Sequence, residues 1–217
     1  MNRRGLILSG LAAAGTAACV AQRGPTDPLG ADAPRDVTTT YDVAPGTTTN
    51  PGGAPAAYTQ EELIRAGSGF LGVAAESVGG AIDRVVTDQG AEPTAYIAGE
   101  EGSGAFGIGL RYGRGLLYMK NGQRPVEVFW QGPSIGWDFG GNAARVFTLV
   151  YNLERPDDVF RRFPGVEGSA YLIGGLGVNY QQAEGITLAP IRAGVGLRLG
   201  ANVGYLAYSR ERNWLPL

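Results

Sequence analysis

The chain has 217 residues, with 18 basic and 20 acidic side chains, a formal net charge of -2, no histidine and one cysteine. Because it carries no excess positive charge, it lacks the attraction that nucleic-acid binding needs, and we expect no nucleic-acid partner. This composition also excludes nucleophile–histidine pairs, histidine or multi-cysteine zinc sites and internal disulfides. We expect no metal, no cofactor and no catalytic residues.

Residues 1–18 have the organisation of an export signal. Arg3 and Arg4 form a short basic region, an apolar run follows from Leu6 to Ala14, and small residues lead up to Cys19. The apolar run is too short to cross a bilayer as a helix, so the pattern predicts a removable signal peptide. The arginine pair leaves both the general secretory and the twin-arginine export routes open.

The residues just before Cys19 resemble the lipobox of bacterial lipoproteins, in which small residues precede a cysteine that becomes acylated. Thr16 stands where leucine is commonest, so cleavage by an ordinary signal peptidase, with Cys19 incidental, is the alternative. A lone exposed thiol is a liability in an oxidising compartment, which favours acylation. We predict lipidation at Cys19 and a periplasmic protein anchored to a membrane through its N-terminal lipid.

Residues 19–58 are rich in proline, threonine and glycine and contain hardly any apolar run. Such a composition buries too little apolar surface to offset the entropy lost on ordering the chain. We interpret the segment as a flexible tether between the lipidated cysteine and a folded domain.

Ordered structure is predicted to begin at Thr59, where Thr59 and Glu62 have the spacing of a capping box. Apolar residues then recur on one stripe at helical spacing: Leu63, Phe70, Ala74, Val78, Ile82 and Val85. The stripe predicts one or two amphipathic helices as far as Asp88, and three glycines between residues 67 and 72 favour a break between them.

Beyond Ala91 the period changes to two, and apolar side chains alternate with glycine or polar residues. Four segments share this design: residues 107–113, 134–140, 175–181 and 194–200. Further strands are predicted at 95–98, 115–120, 125–131, 145–153 and 185–190, with a hairpin turn at 120–123. We therefore predict a mainly β fold with a minor α component over residues 59–217. It is a small antiparallel β-barrel of about eight or more strands, with an N-terminal helix packed on it.

Glycine accounts for 36 of the 217 residues, against a usual share of about 7%. Glycine inside a strand lowers stability, so a repeated glycine face needs a cause such as sharp curvature or close approach of another element. We expect the aliphatic and aromatic face to fill the barrel. The glycine face is expected to bend, or to contact the helix or neighbouring tyrosine and tryptophan rings.

The fifth position of each repeat is polar and lies on the glycine face: Arg111, Asp138, Asn179 and Arg198. If the strands align in register, these side chains form a row in which Asp138 neutralises one arginine and leaves the other for an anion. The row is a candidate site for an anionic group of a phospholipid or polysaccharide. The structural alternative is a salt-bridged row that is exposed to solvent or covered by a helix.

Two acidic pairs, Glu100–Glu101 and Asp157–Asp158, are predicted to lie in turns with their charges solvated. A glycosidase needs two carboxylates that face each other across a groove, and nothing in the spacing indicates such a groove.

Longer motifs resemble one protein family. They are residues 131–142 (QGPSIGWDFGGN), 163–171 (FPGVEGSAY) and 188–192 (LAPIR), followed by the strand to Tyr205. Together they are similar to the alphaproteobacterial envelope integrity protein A family, formerly a domain of unknown function. The resemblance implies a periplasmic protein with a small β-barrel fold, needed for resistance to envelope stress. It supplies no catalytic residues.

We therefore predict a non-enzymatic envelope-integrity protein that binds a lipid, glycan or protein partner. The alternative is a hydrolase that acts on an envelope polymer through carboxylates.

Overall fold

The computed structural model describes residues 57–193 and 204–213, and it describes side chains outside the strand segments 103–109 and 134–143. The predicted signal peptide, the lipidation site Cys19, nearly all of the tether and Arg198 lie outside the described residues. Within the described ranges, no helix is long and apolar enough to cross a membrane.

Two helices begin the described chain and confirm the helical pattern. α1 (Gln60–Leu71) starts with the predicted capping box, in which the Thr59 side chain accepts from the Glu62 backbone N–H and the Glu62 carboxylate accepts from the Thr59 N–H. α1 ends at Gly72, whose φ of 68° is in the left-handed region that glycine favours. α2 (Ala75–Gln89) follows, so the break falls at one of the three glycines that indicated it.

A long hairpin forms the centre of the sheet. β1 (Ala95–Met119) and β2 (Val126–Tyr151) pair antiparallel over nearly their whole length, with one irregularity between residues 103 and 105. The predicted turn at 120–123 is confirmed, and Gly122 there has a φ of 75°. Six short strands predicted for this region merge into two long ones, because the glycines continue the alternation without interrupting the pairing.

Six shorter strands complete the sheet: β3 (Arg162–Pro164), β4 (Tyr171–Ile173), β5 (Leu176–Val178), β6 (Gln181–Ala183), β7 (Ile186–Ala193) and β8 (Tyr205–Ser209). β2 is central, since β1 pairs along one edge while β7 and β8 share the other. β8 also pairs with β3, β7 pairs with β5 and β6, and a bridge between Gly165 and Gln181 connects β3 to β6. The pairings return to their starting strand, which confirms the predicted antiparallel barrel.

Alternation along the strands separates two apolar clusters on the two faces of the sheet. The outer cluster lies between the sheet and the helices and includes Leu63, Val78, Ile82, Phe147, Leu149 and Ile191. The inner cluster fills the barrel and includes Ile97, Leu117, Val128, Trp130, Phe163, Leu188 and Leu206. The helices therefore cover one face of the sheet, as predicted, and the barrel interior is packed with side chains.

The two arms of β1 cross inside the barrel at positions that have no side chain. A Cβ on Gly99 would lie 2.3 Å from the Arg114 carbonyl oxygen and 2.7 Å from the Gly115 Cα. A Cβ on Gly113 would lie 2.0 Å from Trp130 Cε2, because the indole ring covers that glycine. A larger residue at Gly99 would force the two arms apart, and a larger residue at Gly113 would displace the Trp130 ring.

This crossing confirms that the glycine face receives an aromatic ring, but it reverses the expected orientation of β1. Gly113, Gly115 and Leu117 lie on the inward face, whereas Leu110 and Tyr112, which we expected inside, are half-buried on the other face. The crossing backbone and the ring of Trp130 occupy the interior at this level, so the barrel has no room there for an aliphatic face.

Candidate functional site

Toward one end of the barrel the inward positions change from apolar to polar. Glu101 is on the first arm of β1, Arg111 on its second arm, Trp130 on β2 and Arg192 on β7, while Asn179 directly follows β5. Because side chains alternate between the two faces of a strand, these side chains all point into the barrel interior. We refer to these five residues as the Glu101 cluster.

Glu101 is the centre of the cluster and is 6% exposed. Its carboxylate accepts from Arg192 Nε at 3.1 Å and from Trp130 Nε1 at 2.9 Å. Burial alone would raise the pKa of Glu101, but the charges of Arg192 and Arg111 and the hydrogen bonds from Arg192 and Trp130 lower the pKa to about 2. Glu101 is therefore an ionised carboxylate throughout the physiological range.

The two arginines differ in how fully the protein uses them. Arg192 donates to both oxygens of Glu101, at 3.1 Å and 3.4 Å, and also to Asn179 Oδ1. Arg111 Nη1 lies 3.7 Å from Glu101 Oε1, which is an ion pair but longer than a hydrogen bond. Among the described residues, Arg111 Nε has no hydrogen-bond partner. Arg192 is thus fixed by the protein, and the Nε donor of Arg111 remains unused among the described residues.

The cluster also has an excess of positive charge, since two guanidinium groups face one carboxylate. Glu101 raises the pKa of Arg111, but burial and the neighbouring Arg192 together outweigh it, so that the pKa lies below its ordinary value. The guanidinium stays protonated at neutral pH, and its side chain is 22% exposed. A partly buried and undercompensated positive charge is a suitable binding group for an anion.

Tyr208 forms an aromatic wall beside the cluster. Its ring lies 5.8 Å from that of Trp130, and its side chain hydrogen-bonds with Thr148. Burial raises the pKa of the Tyr208 hydroxyl far above its ordinary value, so the group stays neutral. The wall limits water around the charges and strengthens their interactions.

The structure brings two members of the predicted polar row into one network. Arg111 and Asn179 are joined through Glu101 and Arg192. The side chain of Asp138 and the whole of Arg198 lie outside the described part of the chain, as does Cys19.

The predicted row requires the fifth positions of neighbouring repeats to lie side by side, and the pairing of the first two repeats does not place them so. Arg111 is opposite Gly132, and Asp138 is opposite Ala105. These two rungs are six residues apart on each strand, which corresponds to about 20 Å along the ladder. Because the repeats run antiparallel, their equivalent positions fall toward opposite ends of the pairing rather than side by side.

Glu101 and Arg192 were missed as site residues, and the expectation that Glu101 is solvated in a turn is wrong. Glu101 lies within β1 and is buried by partners from distant parts of the chain. The sequence did contain a signal for this burial, because Glu101 is two residues after Gly99 and therefore lies on the same inward face of the strand. By contrast, Asp157 is exposed on a short 3-10 helix, as expected for a solvated acid.

A second ion pair fixes the start of the domain. Lys120 Nζ, at the hairpin turn, lies 2.6 and 2.7 Å from the two carboxylate oxygens of Glu62 and 4.9 Å from the centre of the Tyr58 ring. Tyr58, which we assigned to the end of the tether, is buried and packs edge-on against Tyr96. Ordered structure therefore begins before Thr59.

Chemically, the Glu101 cluster is suited to holding an anion rather than to moving a proton. A carboxylate with a pKa near 2 cannot act as a general acid at neutral pH. In the portion of the chain that the structure covers, no group of three or more acidic, histidine or cysteine side chains is placed to hold a metal ion.

Comparisons with known proteins agree with the barrel. The profile of envelope integrity protein A matches residues 56–217, which is most of the chain. The chain belongs to the envelope integrity protein A family. Membership of this family gives the protein a role in the integrity of the cell envelope.

A solved structure supports the same architecture for this chain. The crystal structure of a β-barrel-like protein from Brucella abortus is 48% identical and superposes with a TM-score of 0.67. The match covers 74% of this chain and 99% of the Brucella chain. None of the curated proteins compared with the chain matches it.

Proposed function

We propose that the protein is a non-enzymatic binding module of the periplasm, which supports envelope integrity by holding an anionic component of the envelope at the Glu101 cluster. The observation that carries this proposal is the contrast between the two arginines. Arg192 satisfies Glu101 within the protein, whereas Arg111 brings an additional positive charge and an unpaired buried Nε. An anionic ligand would supply the missing charge and the missing acceptor.

The hydrolase alternative finds no support at this cluster. Such an enzyme would need one carboxyl group that is protonated near neutral pH and a second carboxylate opposite it. Glu101 is held ionised by two arginines, and its hydrogen-bond donors are an arginine and an indole. Release of soluble fragments from purified cell-wall sacculi by the protein would contradict the non-enzymatic proposal.

Anchoring through Cys19 completes the proposal. The buried Tyr58 fixes the start of the domain, and the predicted tether would connect it to a lipid at the membrane surface. We expect the protein from membrane fractions to have the mass of the chain from Cys19 plus lipid, and Cys19→Ser to lose that mass. An unlipidated chain in both strains would remove the anchor from the proposal.

The test of function is complementation of a strain that lacks the protein. We expect the wild-type chain to restore growth in detergent and chelator, and Arg111→Gln to fail, because glutamine removes the positive charge. Arg114→Gln is the matched control, since Arg114 is on the same strand but has the opposite parity to Arg111. It should complement as well as the wild type.

Folding must be equal for this comparison to be informative. Glu101 keeps its hydrogen bonds from Arg192 and Trp130 when Arg111 is replaced, so immunoblots and thermal unfolding should show similar amounts and similar stability for the two glutamine variants. Full complementation by Arg111→Gln at wild-type abundance would overturn the proposed function.

A further inference from the structure

The guanidinium group of Arg111 is incompletely paired within the described part of the chain. A guanidinium group carries five N–H donors in a planar fork. Nη1 is the atom that faces Glu101, at 3.7 Å, whereas Nε has no partner among the described residues. The edge formed by Nε and Nη2 is the second bidentate edge of the group, and its two parallel N–H bonds match a pair of oxygens on one oxyanion.

The charge of the cluster sets the charge of the ligand group. Among the described side chains of the cluster, two guanidinium groups and one carboxylate leave a single excess positive charge. A phosphodiester carries one negative charge and presents two non-bridging oxygens at the spacing of the arginine fork. It is also the group that anionic membrane lipids present at a bilayer surface.

We infer that the Nε edge of Arg111 binds a phosphate group carried by an envelope molecule. The inference rests on the proposed function and adds the chemical class of the ligand. Arg192 and Trp130 position Glu101, which lies 3.7 Å from Nη1 of Arg111 and leaves the buried Nε as the donor that a ligand oxygen would satisfy. Arg111 is the residue that contacts the phosphate, and the others act through it.

Calorimetric titration of the full-length exported chain tests the class of ligand. Dimethyl phosphate and acetate are matched probes, since each carries one negative charge. We expect dimethyl phosphate to bind more tightly than acetate at equal ionic strength. Arg111→Gln should weaken phosphate binding on the order of tenfold, the loss expected for a charge-assisted hydrogen-bonded pair, and Arg114→Gln should leave it unchanged.

A second arm distinguishes the two sources of phosphate. Co-sedimentation with phosphatidylglycerol vesicles that depends on Arg111 would show that the group is carried by a lipid. Arg111-dependent binding of dimethyl phosphate without vesicle binding would show that it is carried by a soluble or glycan-linked molecule. Equal binding of acetate and phosphate, or binding that is unchanged in Arg111→Gln in both arms, would overturn the phosphate site.

The two proposals fail in different ways. If phosphate does not bind but complementation still requires Arg111, the ligand is another anion and the proposed function stands. If Arg111→Gln complements fully, the binding role of the cluster is lost, whatever the probes show.

Discussion

At the scale of single residues, Glu101 shows how a buried carboxylate can stay ionised because neighbouring groups compensate its charge. Its carboxylate is 6% exposed, and it is compensated by Arg192 and Trp130 through hydrogen bonds and by Arg111 through charge. Removing one member of a buried ion pair leaves the partner charge without compensation, which costs more than the pair contributes.

We therefore expect Glu101→Gln to destabilise the domain by roughly 3 kcal/mol or more, the usual loss for breaking a buried pair. Urea unfolding at neutral pH measures this difference. An unchanged midpoint and slope would show that the two arginines do not depend on the Glu101 charge.

The same residue predicts a pH dependence. The folded-state pKa of Glu101 is lowered from 4.5 to about 2, so the unfolded chain binds this proton more readily. The stabilising contribution is therefore fully present above pH 4.5 and is lost as the pH falls toward 2. In urea unfolding, the gap between wild type and Glu101→Gln should be constant from pH 7 to pH 5 and should shrink below pH 4.5. A gap that stays constant down to pH 2 would contradict the pairing.

At the scale of elements, glycine has opposite consequences in the helix and in the barrel. Gly69 lies on the exposed side of α1, and a Cβ there would meet nothing within 4 Å. Alanine at this position should raise stability by about 0.5–1 kcal/mol, because it reduces the freedom of the unfolded chain and favours the helix. At Gly113 a Cβ would overlap the Trp130 ring, so alanine should lower stability by about 1–3 kcal/mol.

Thermal unfolding of Gly69→Ala and Gly113→Ala under identical conditions measures the expected gain and the expected loss of stability in one comparison. A rise or no change in stability for Gly113→Ala would show that the close approach of the Trp130 ring to Gly113 is not maintained in solution, and a fall for Gly69→Ala would contradict the helix prediction.

The ion pair between Glu62 and Lys120 fastens α1 to the hairpin turn. Lys120 has a side-chain exposure of 6% and Glu62 one of 32%, so the pair is only partly screened by solvent. A double-mutant cycle of Glu62→Gln and Lys120→Met should give a coupling free energy of about 1 kcal/mol. Strictly additive effects would show that the contact contributes nothing beyond the two separate side chains.

At the scale of the whole molecule, local patterns predicted the elements and long-range contacts decided the site. The capping box at Thr59, the helical stripe and the turn at 120–123 depend on neighbouring residues, and each is found where it was predicted. The antiparallel barrel follows from the alternation. The merging of short strands into β1 and β2 does not follow from the alternation, because a glycine within a strand and a glycine at its end have the same local pattern.

The site was only half predictable for a related reason. Arg111 and Asn179 were singled out by their position in a repeat, but their link runs through Glu101 and Arg192, which are 91 residues apart in sequence. The burial of Glu101 depends on how the arms of β1 cross, and the crossing depends on backbone contacts such as that of Gly99 with Gly115. Such contacts leave no period in the sequence that would reveal them.

The central claim is that Arg111, whose buried Nε has no partner among the described residues, binds an anion at the Glu101 cluster. The indole N–H of Trp130 reports on it directly, because it donates to the same carboxylate that Arg111 faces. We would follow its ¹H–¹⁵N resonance, assigned with Trp130→Phe, while dimethyl phosphate is added to the full-length chain. The account predicts a saturable shift in the wild type and in Arg114→Gln, and none in Arg111→Gln. A resonance that does not move in the wild type, or that moves equally in Arg111→Gln, would contradict it.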